Sequence, residues 1–223
     1  MSRQLVLWRH GRTAWNLEGR TQGHSDIDLD EVGRAQAAES APRLAGMAPD
    51  LVVSSDLRRA RDTAAALAWL TGQAPTYDAR LREMDFGDRE GLTLDEAAAK
   101  WPEEIARWLA GDDVRLPGAE TLAEVANRFA AALHDISSRL SDEGTAVLVT
   151  HGSAIRVGVC AFLGLPAAHW GRLGSLANCR WAILGEGARG WRIVEWNAGT
   201  LPEPAIGDDE QASGLGAAPD RLC

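Results

Sequence analysis

"LVLWRHGRTAWN" (residues 5–16) is the stretch on which the reading of this chain turns. Leu5 to Trp8 is an unbroken apolar run, the pattern of a strand buried on both faces. The run stops abruptly at Arg9, His10, Gly11 and Arg12. A buried charge without a partner is costly, so either the strand surfaces there or its end is a binding site.

Three further segments end the same way. "DLVVSSDLRR" (50–59) reads as a second strand running into Ser54, Ser55, Asp56, Arg58 and Arg59. "TYDARLRE" (76–83) reads as a short third strand leading to Arg82 and Glu83. "TAVLVTHGS" (145–153) is another continuous apolar strand, ending at His151 and Gly152. Helical patterns lie between them. Asp30–Gly46 is one, and Ser55 or Asp56 is positioned to cap a second running to about Leu70, with Gly72 just past its end. The clearest stripe is Leu122, Val125, Phe129, Leu133, Ile136 and Leu140, entered by a Thr121–Glu124 capping box.

Strands alternating with helices predict an α/β protein: a three-layer α/β/α sandwich on a mostly parallel sheet. Two short helical pieces, Leu94–Trp101 and Glu103–Leu109, are separated by Pro102 and form a small cap insertion after Glu83, spanning about 88–120. A closing hairpin is expected from Asn178–Leu184 and Trp191–Trp196 around "GEGARG". Residues 1–201 are read as one domain. Beyond them the Pro, Gly, Ala and acid content predicts a disordered acidic tail over 202–223.

The formal charge of −9, from 32 acidic and 23 basic residues, argues against a nucleic-acid partner. Any anion site must be made locally by a few cations in a pocket. No apolar run reaches about 18 residues, so no membrane association is expected, and the N-terminus lacks a signal-peptide pattern. A cytoplasmic enzyme-sized domain is the expectation. Cys160 and Cys179 read as core thiols, and none of the three cysteines, Cys223 included, has metal-ligand spacing. His24, Asp26 and Asp28 read as an acidic loop capping the next helix, and neither a metal nor a cofactor is expected.

In open α/β sheets ligands bind outside the carboxyl ends of the strands. In a parallel sheet those ends share one rim, which brings together His10, His151, several arginines and a carboxylate. That set suits phosphoryl transfer. Guanidinium groups match phosphate oxygens, helix N-termini add donors, a neutral imidazole attacks phosphorus, and a carboxyl moves the leaving-group proton. Gly11 and Gly152 follow the histidines where close backbone approach is useful.

"LVLWRHGRTAWNLEGRTQGHSDIDLDEVGRAQA", "SSDLRRARDTA", "LREMDFGDREG" and "VTHGSAIR" together resemble the histidine phosphatase superfamily, in its phosphoglycerate mutase-like branch, over about residues 3–200. The resemblance implies that His10 is the phosphorylated nucleophile, that Arg9, Arg59 and His151 complete the phosphate pocket, and that Glu83 is the acid/base. Arg58 would then point elsewhere. It also implies substrate contacts from Thr13, Asn16, Gln22, Gly23 and Gly152, and a small phosphate ester as the partner. "HWGRLGSLANCRWAIL" and "GWRIVEWNAGT" are similar to the actinobacterial glucosyl-3-phosphoglycerate phosphatases.

The mutases of the branch lead one to expect paired arginines in the insertion. This chain has none between Gly91 and Gly118, though Lys100, Arg107 or Arg115 could bind an anion. Hydrolysis of a sugar or glycerate phosphate is therefore the expectation. A phosphoglycerate mutase is the alternative. A non-catalytic phosphate-binding regulator and a metal-dependent hydrolase are less well matched. Arg89 stands where the phosphatase pattern usually has Trp. Trp15, Trp101 and Trp108 are the aromatic residues expected near ligand, and the closing hairpin would permit a homodimer.

Overall fold

A computed structural model describes residues 2–200, so the acidic segment and Cys223 lie outside the described residues. Six strands form one sheet: β1 (Gln4–Arg9), β2 (Leu51–Ser54), β3 (Thr76–Tyr77), β4 (Thr145–Thr150), β5 (Trp181–Gly187) and β6 (Gly190–Ala198). Their order is β3-β2-β4-β1-β5-β6. The first four in that order run parallel, and β5 and β6 close the far edge antiparallel.

The helices are α1 (Ala14–Glu18), α2 (Glu31–Ala45), α3 (Arg58–Thr71), α4 (Leu94–Lys100), α5 (Pro102–Leu109), α6 (Leu122–Ser138) and α7 (Gly152–Phe162). Successive strand residues face opposite sides of a sheet. In β1, Leu5 and Leu7 therefore join Phe129, Leu133 and Ile155 of α6 and α7 on one face. Val6 and Trp8 join Ala37, Leu44, Ala60 and Leu67 of α2 and α3 on the other. All four residues of that run are fully buried, each contributing roughly 1.5–3 kcal/mol of burial. This is why the strand carries no polar alternation.

The expected capping of α3 by Ser55 or Asp56 does not occur. The Ser55 hydroxyl is engaged by His151, 2.8 Å from its Nε2, and the Asp56 carboxylate takes two hydrogen bonds from Arg82 at 2.7 and 2.6 Å. Asp26 does the capping from outside the helix, accepting from the Arg58 N–H at 2.7 Å. Asp30 caps α2, accepting from the Gly33 N–H at 2.7 Å. The acidic loop thus serves two helix starts. The first hairpin strand begins later than expected, at Trp181, after the positive φ of 56° at Cys179 interrupts extended backbone, and the second begins one residue early, at Gly190.

The segment after Glu83 builds a small core of its own from Ala97, Ile105, Leu116 and Ala119. It is tied back at a narrow neck. The Asp88 N–H donates to the Pro117 carbonyl at 3.0 Å, and the Glu120 N–H to that of Asp85 at 2.9 Å. Gly87 has a φ of 54°, and a Cβ there would lie 2.2 Å from the Pro117 oxygen. A side chain would hold the neck open.

Candidate active site

In the β1–β4 ladder Arg9 is paired with Thr150. His10 and His151 are therefore the first residues beyond two neighbouring parallel strands, which lie roughly 4.8 Å apart. The two imidazole centroids are accordingly 5.1 Å apart. Beyond His10 the chain passes close to α2: a Cβ on Gly11 would lie 2.4 Å from the Gly33 carbonyl, and one on Gly33 would lie 2.0 Å from that of Arg12. Glycine at both positions lets the loop turn down onto the helix.

Hydrogen-bond partners settle the proton positions. Nδ1 of His10 is 2.7 Å from the Gly11 carbonyl, which can only accept, so Nδ1 carries the hydrogen. The lone pair of the neutral ring is then on Nε2. His151 has the reverse arrangement. Its Nδ1 accepts from Arg59 Nε at 3.2 Å, leaving Nε2 to donate to Ser55 Oγ. Burial, reinforced by Arg59 and Arg9, holds the His10 pKa well below the ordinary imidazole value. Burial, with Arg59 next, does the same for His151. Both rings are neutral at pH 7. The His10 backbone is pinned as well, its carbonyl accepting from Asn178 Nδ2 at 3.0 Å and from the Cys179 N–H at 3.2 Å.

Arg59 is fully buried on the first turn of α3. Burial lowers its pKa to about 10, so it stays a cation. Its two terminal nitrogens donate to the Ser25 and Gly23 carbonyls at 2.8 and 2.6 Å. That loop is fastened by Glu90, which accepts from the N–H groups of His24 and Ser25 at 2.7 and 2.8 Å and from the Ser25 hydroxyl at 2.6 Å. Arg58 turns outward to Asp26 and Asp28.

Glu83 lies across the start of α7. One carboxylate oxygen accepts from the Met84 and Ala154 N–H groups at 2.8 and 2.9 Å, the other from Ser153 at 3.1 Å. A carboxylate offers about four acceptor positions, so one is left on the Ser153 side. The Glu83 carbonyl is held from behind by Arg128 at 2.7 Å and by His24 at 3.0 Å. Arg128 also takes the carbonyls of Arg80 and Arg82, both at 2.8 Å.

These groups border a cleft of about 800 Å³, open to solvent. Arg9, His10, Asn16, Gln22, Gly23, Arg59 and Glu83 are on its wall. Thr13 is not. It is fully buried, its hydroxyl accepting from the Asn16 N–H at 3.2 Å to start α1 and reaching Gln22 Oε1 at 2.9 Å. It shapes the loop from behind. His151 and Gly152 also sit behind the wall, His151 fully buried beside His10 and a Cβ on Gly152 falling 3.4 Å from the Arg9 guanidinium. Trp15 and Trp108 line the cleft, whereas Trp101 packs on the cap's core beneath Lys100. Sequence reasoning missed Glu90, Arg128 and Asn178, and gave no role to Arg156. The last has a legible signal: it stands four positions after Gly152, on the same helix face. Among the described residues no group of three His, Cys, Asp or Glu is placed to hold a metal ion, and no helix is long and apolar enough to cross a membrane.

The model of the histidine phosphatase superfamily, branch 1, matches residues 5–199. The chain is 40% identical over 215 residues to the glucosyl-3-phosphoglycerate phosphatase of Mycolicibacterium vanbaalenii, covering 88% of this chain and 95% of that protein. It is 35% identical over 196 residues to a probable phosphoglycerate mutase of Salmonella paratyphi C, covering 86% and 89%. A solved mycobacterial glucosyl-3-phosphoglycerate phosphatase in complex with VO3 superimposes with a TM-score of 0.82 at 39% identity, over 88% of this chain and all of that one.

Proposed function

The chain belongs to the histidine phosphatase superfamily, branch 1, and from that premise we propose that it hydrolyses a small phosphate monoester through a phosphohistidine on His10. The observation that carries this reading is the neutral His10 ring. Its Nδ1 is fixed on the Gly11 carbonyl and its other nitrogen is free to attack, beside Arg9 and Arg59. Nε2 forms a bond to phosphorus while the bond from phosphorus to the ester oxygen breaks. The carboxyl of Glu83 gives that oxygen its proton, and the alcohol leaves. Water then attacks phosphorus, Glu83 takes the proton back, and inorganic phosphate leaves with His10 neutral again. Arg9 and Arg59 hold the phosphoryl oxygens throughout and carry their charge in the transition state. His151, neutral and tied to both Arg59 and Ser55, keeps the back of the pocket in place.

For the substrate we infer a sugar or glycerate phosphate, with glucosyl-3-phosphoglycerate the first candidate. The likeness to phosphatases acting on that ester supports this, and Trp15 and Trp108 give the cleft two aromatic faces on which a sugar could stack. Hydrolysis is preferred to the mutase reaction because Lys100, Arg107 and Arg115 are all engaged away from the cleft, over Trp101, on Asp112 and on Glu124 respectively. The neutral thiols Cys160 and Cys179 support a reducing, cytoplasmic setting. A homodimer through the outer strand β6, where Val194 is exposed, is part of the same proposal and is read by sedimentation.

The test is phosphate release in EDTA from glucosyl-3-phosphoglycerate, 3-phosphoglycerate, fructose bisphosphate, α-ribazole phosphate and an aryl phosphate, with an alkaline denaturing quench to trap labelled protein. Release, with label that is acid-labile, stable to base and absent from His10→Ala, supports the reading. Interconversion of 2- and 3-phosphoglycerate without release makes the protein a mutase. Normal turnover by His10→Ala ends the covalent mechanism.

A further inference from the structure

Gly11 sets a problem for the nucleophile beside it. Packing imposes glycine there, since a Cβ would lie 2.4 Å from the Gly33 carbonyl. Yet glycine is the residue about which neighbouring peptide groups turn most freely. The carbonyl that fixes the hydrogen on His10 Nδ1 belongs to Gly11 itself, 2.7 Å away. If the peptide group between Gly11 and Arg12 rotated, that carbonyl would swing off the ring. The hydrogen would then be free to move to Nε2, the nitrogen that attacks in the proposed reaction.

Both peptide groups that meet at Gly11 are gripped at each edge. Between His10 and Gly11, the carbonyl accepts from Asn178 and from the Cys179 N–H, and the N–H donates to Thr63 Oγ1 at 3.0 Å. Thr63 is fully buried on α3. It donates its own hydrogen to the Arg59 carbonyl at 2.7 Å, so its oxygen is left facing Gly11 as an acceptor. Between Gly11 and Arg12, the N–H donates to Gln36 Oε1 at 3.0 Å. In a planar trans peptide the N–H and the C=O point in opposite directions. Gln36, reaching from α2, therefore aims the Gly11 carbonyl at Nδ1 by holding the other edge of the same plane. The cleft wall includes neither side chain. Gln36 instead lines a separate recess of about 310 Å³ with Glu39, Ser40 and Arg180.

We propose that Gln36 and Thr63 are positioning residues for the nucleophile, setting the tautomer of His10 through the two peptide groups that meet at Gly11. The control of the tautomer stands on the hydrogen bonds alone. Its bearing on rate rests on the phosphatase reading of His10.

Gln36→Met and Thr63→Val keep side-chain size and remove the acceptor, while Gln36→Glu and Thr63→Ser retain it. The ring nitrogens of His10 are read by nitrogen NMR of the full chain labelled in its histidines, the His10 signals being those missing from His10→Ala. Phosphorylation of His10 is timed in a single turnover with an aryl phosphate. The parent should show one tautomer, with its hydrogen on Nδ1. Gln36→Met and Thr63→Val should each move both nitrogen signals toward a mixture and slow phosphorylation about 3- to 10-fold. Inorganic phosphate should inhibit them as it does the parent, because the arginines are untouched. Gln36→Glu and Thr63→Ser should restore the parent tautomer and rate. Gln36→Met carries the test if Thr63→Val does not fold. Variants that keep the parent tautomer overturn the proposal whatever their rate. So do variants that shift it and phosphorylate as fast as the parent. Both results leave the phosphatase reading standing. A shifted tautomer in a chain that releases no phosphate from any ester keeps the control of His10 and overturns the phosphatase.

Discussion

Arg59 Nε donates to His151 Nδ1 at 3.2 Å, both groups being fully buried. A cation thereby fixes the tautomer of one imidazole, and its charge helps to keep the neighbouring one, His10, unprotonated. In the proposed reaction the nucleophile is not activated by a base. His10 is kept neutral by burial and by Arg59 and Arg9, the cations that would receive the phosphoryl group in the proposed reaction.

This arrangement has a signature in stability. The folded-state pKa values of His10 and His151 are both depressed below 6.5, burial being the larger cause in each. As pH falls through 6.5 the unfolded chain takes up protons that the folded one refuses. Stability therefore declines below that pH and is unaffected by these groups above it. Each histidine adds at most about 1.4 kcal/mol per pH unit to the slope. Urea unfolding between pH 7.5 and 5.5 should show His10→Asn with a shallower decline than the parent. An equal slope would mean that His10 is protonated in the folded protein.

Glu83→Gln retains an acceptor for the first N–H groups of α7 but cannot give a proton. Its effect should follow the leaving group. For an alkyl ester a loss of about 10²- to 10⁴-fold in kcat is expected, and for an activated aryl phosphate much less. Equal loss for both, measured by phosphate release, would remove Glu83 as the acid.

Glu90 touches no substrate in this proposal and acts through the loop that receives Arg59. Glu90→Gln should lower kcat/KM by about tenfold for alkyl and aryl esters alike, since an Arg59 that is no longer held costs a charge-assisted contact. Inorganic phosphate should weaken as an inhibitor in the same proportion. A variant with lower thermal stability but unchanged phosphate inhibition would reduce Glu90 to a loop fastener.

Gly33→Ala places a methyl group where the Arg12 carbonyl now sits, 2.0 Å from the new carbon. Backbone must move, at a cost of about 1–3 kcal/mol, and the part that moves carries His10 and Gly11. A lowered melting temperature together with a large fall in kcat is expected. An active, fully stable variant would show that the loop is not pressed against α2.

The sheet and its rim were legible because they follow from local pattern: apolar runs with no alternation, each ending on polar or charged residues. The ends of β1 and β4 predict adjacent histidines as soon as the strands are taken as parallel neighbours. Glu90 was not legible. It looks like one of several acids after Glu83, and its partners are backbone N–H groups up to 66 positions away. No spacing rule encodes such a contact. Asn178 is similar, reaching a carbonyl 168 positions away. Thr13 was misplaced for a different reason. Its capping geometry with Asn16 is local and strong, and it draws the hydroxyl away from the cleft. Trp101 and Trp108 could not be told apart until the packing of the cap around Ile105 set which of them faces inward.

The neck at Gly87 separates two kinds of residue in the gene. Everything that touches phosphorus in the proposed reaction is supplied by the sheet rim and the starts of α3 and α7. Arg89 and Trp108, which would meet the rest of the molecule, lie on the far side of a crossing that Asp85, Asp88, Pro117 and Glu120 close with two backbone hydrogen bonds. Selectivity is thus a detachable trait. Apart from Glu90, which fastens the loop under Arg59, the stretch between those bonds can be lengthened, shortened or exchanged for another without disturbing a single strand, so new tastes can be acquired while the chemistry is inherited.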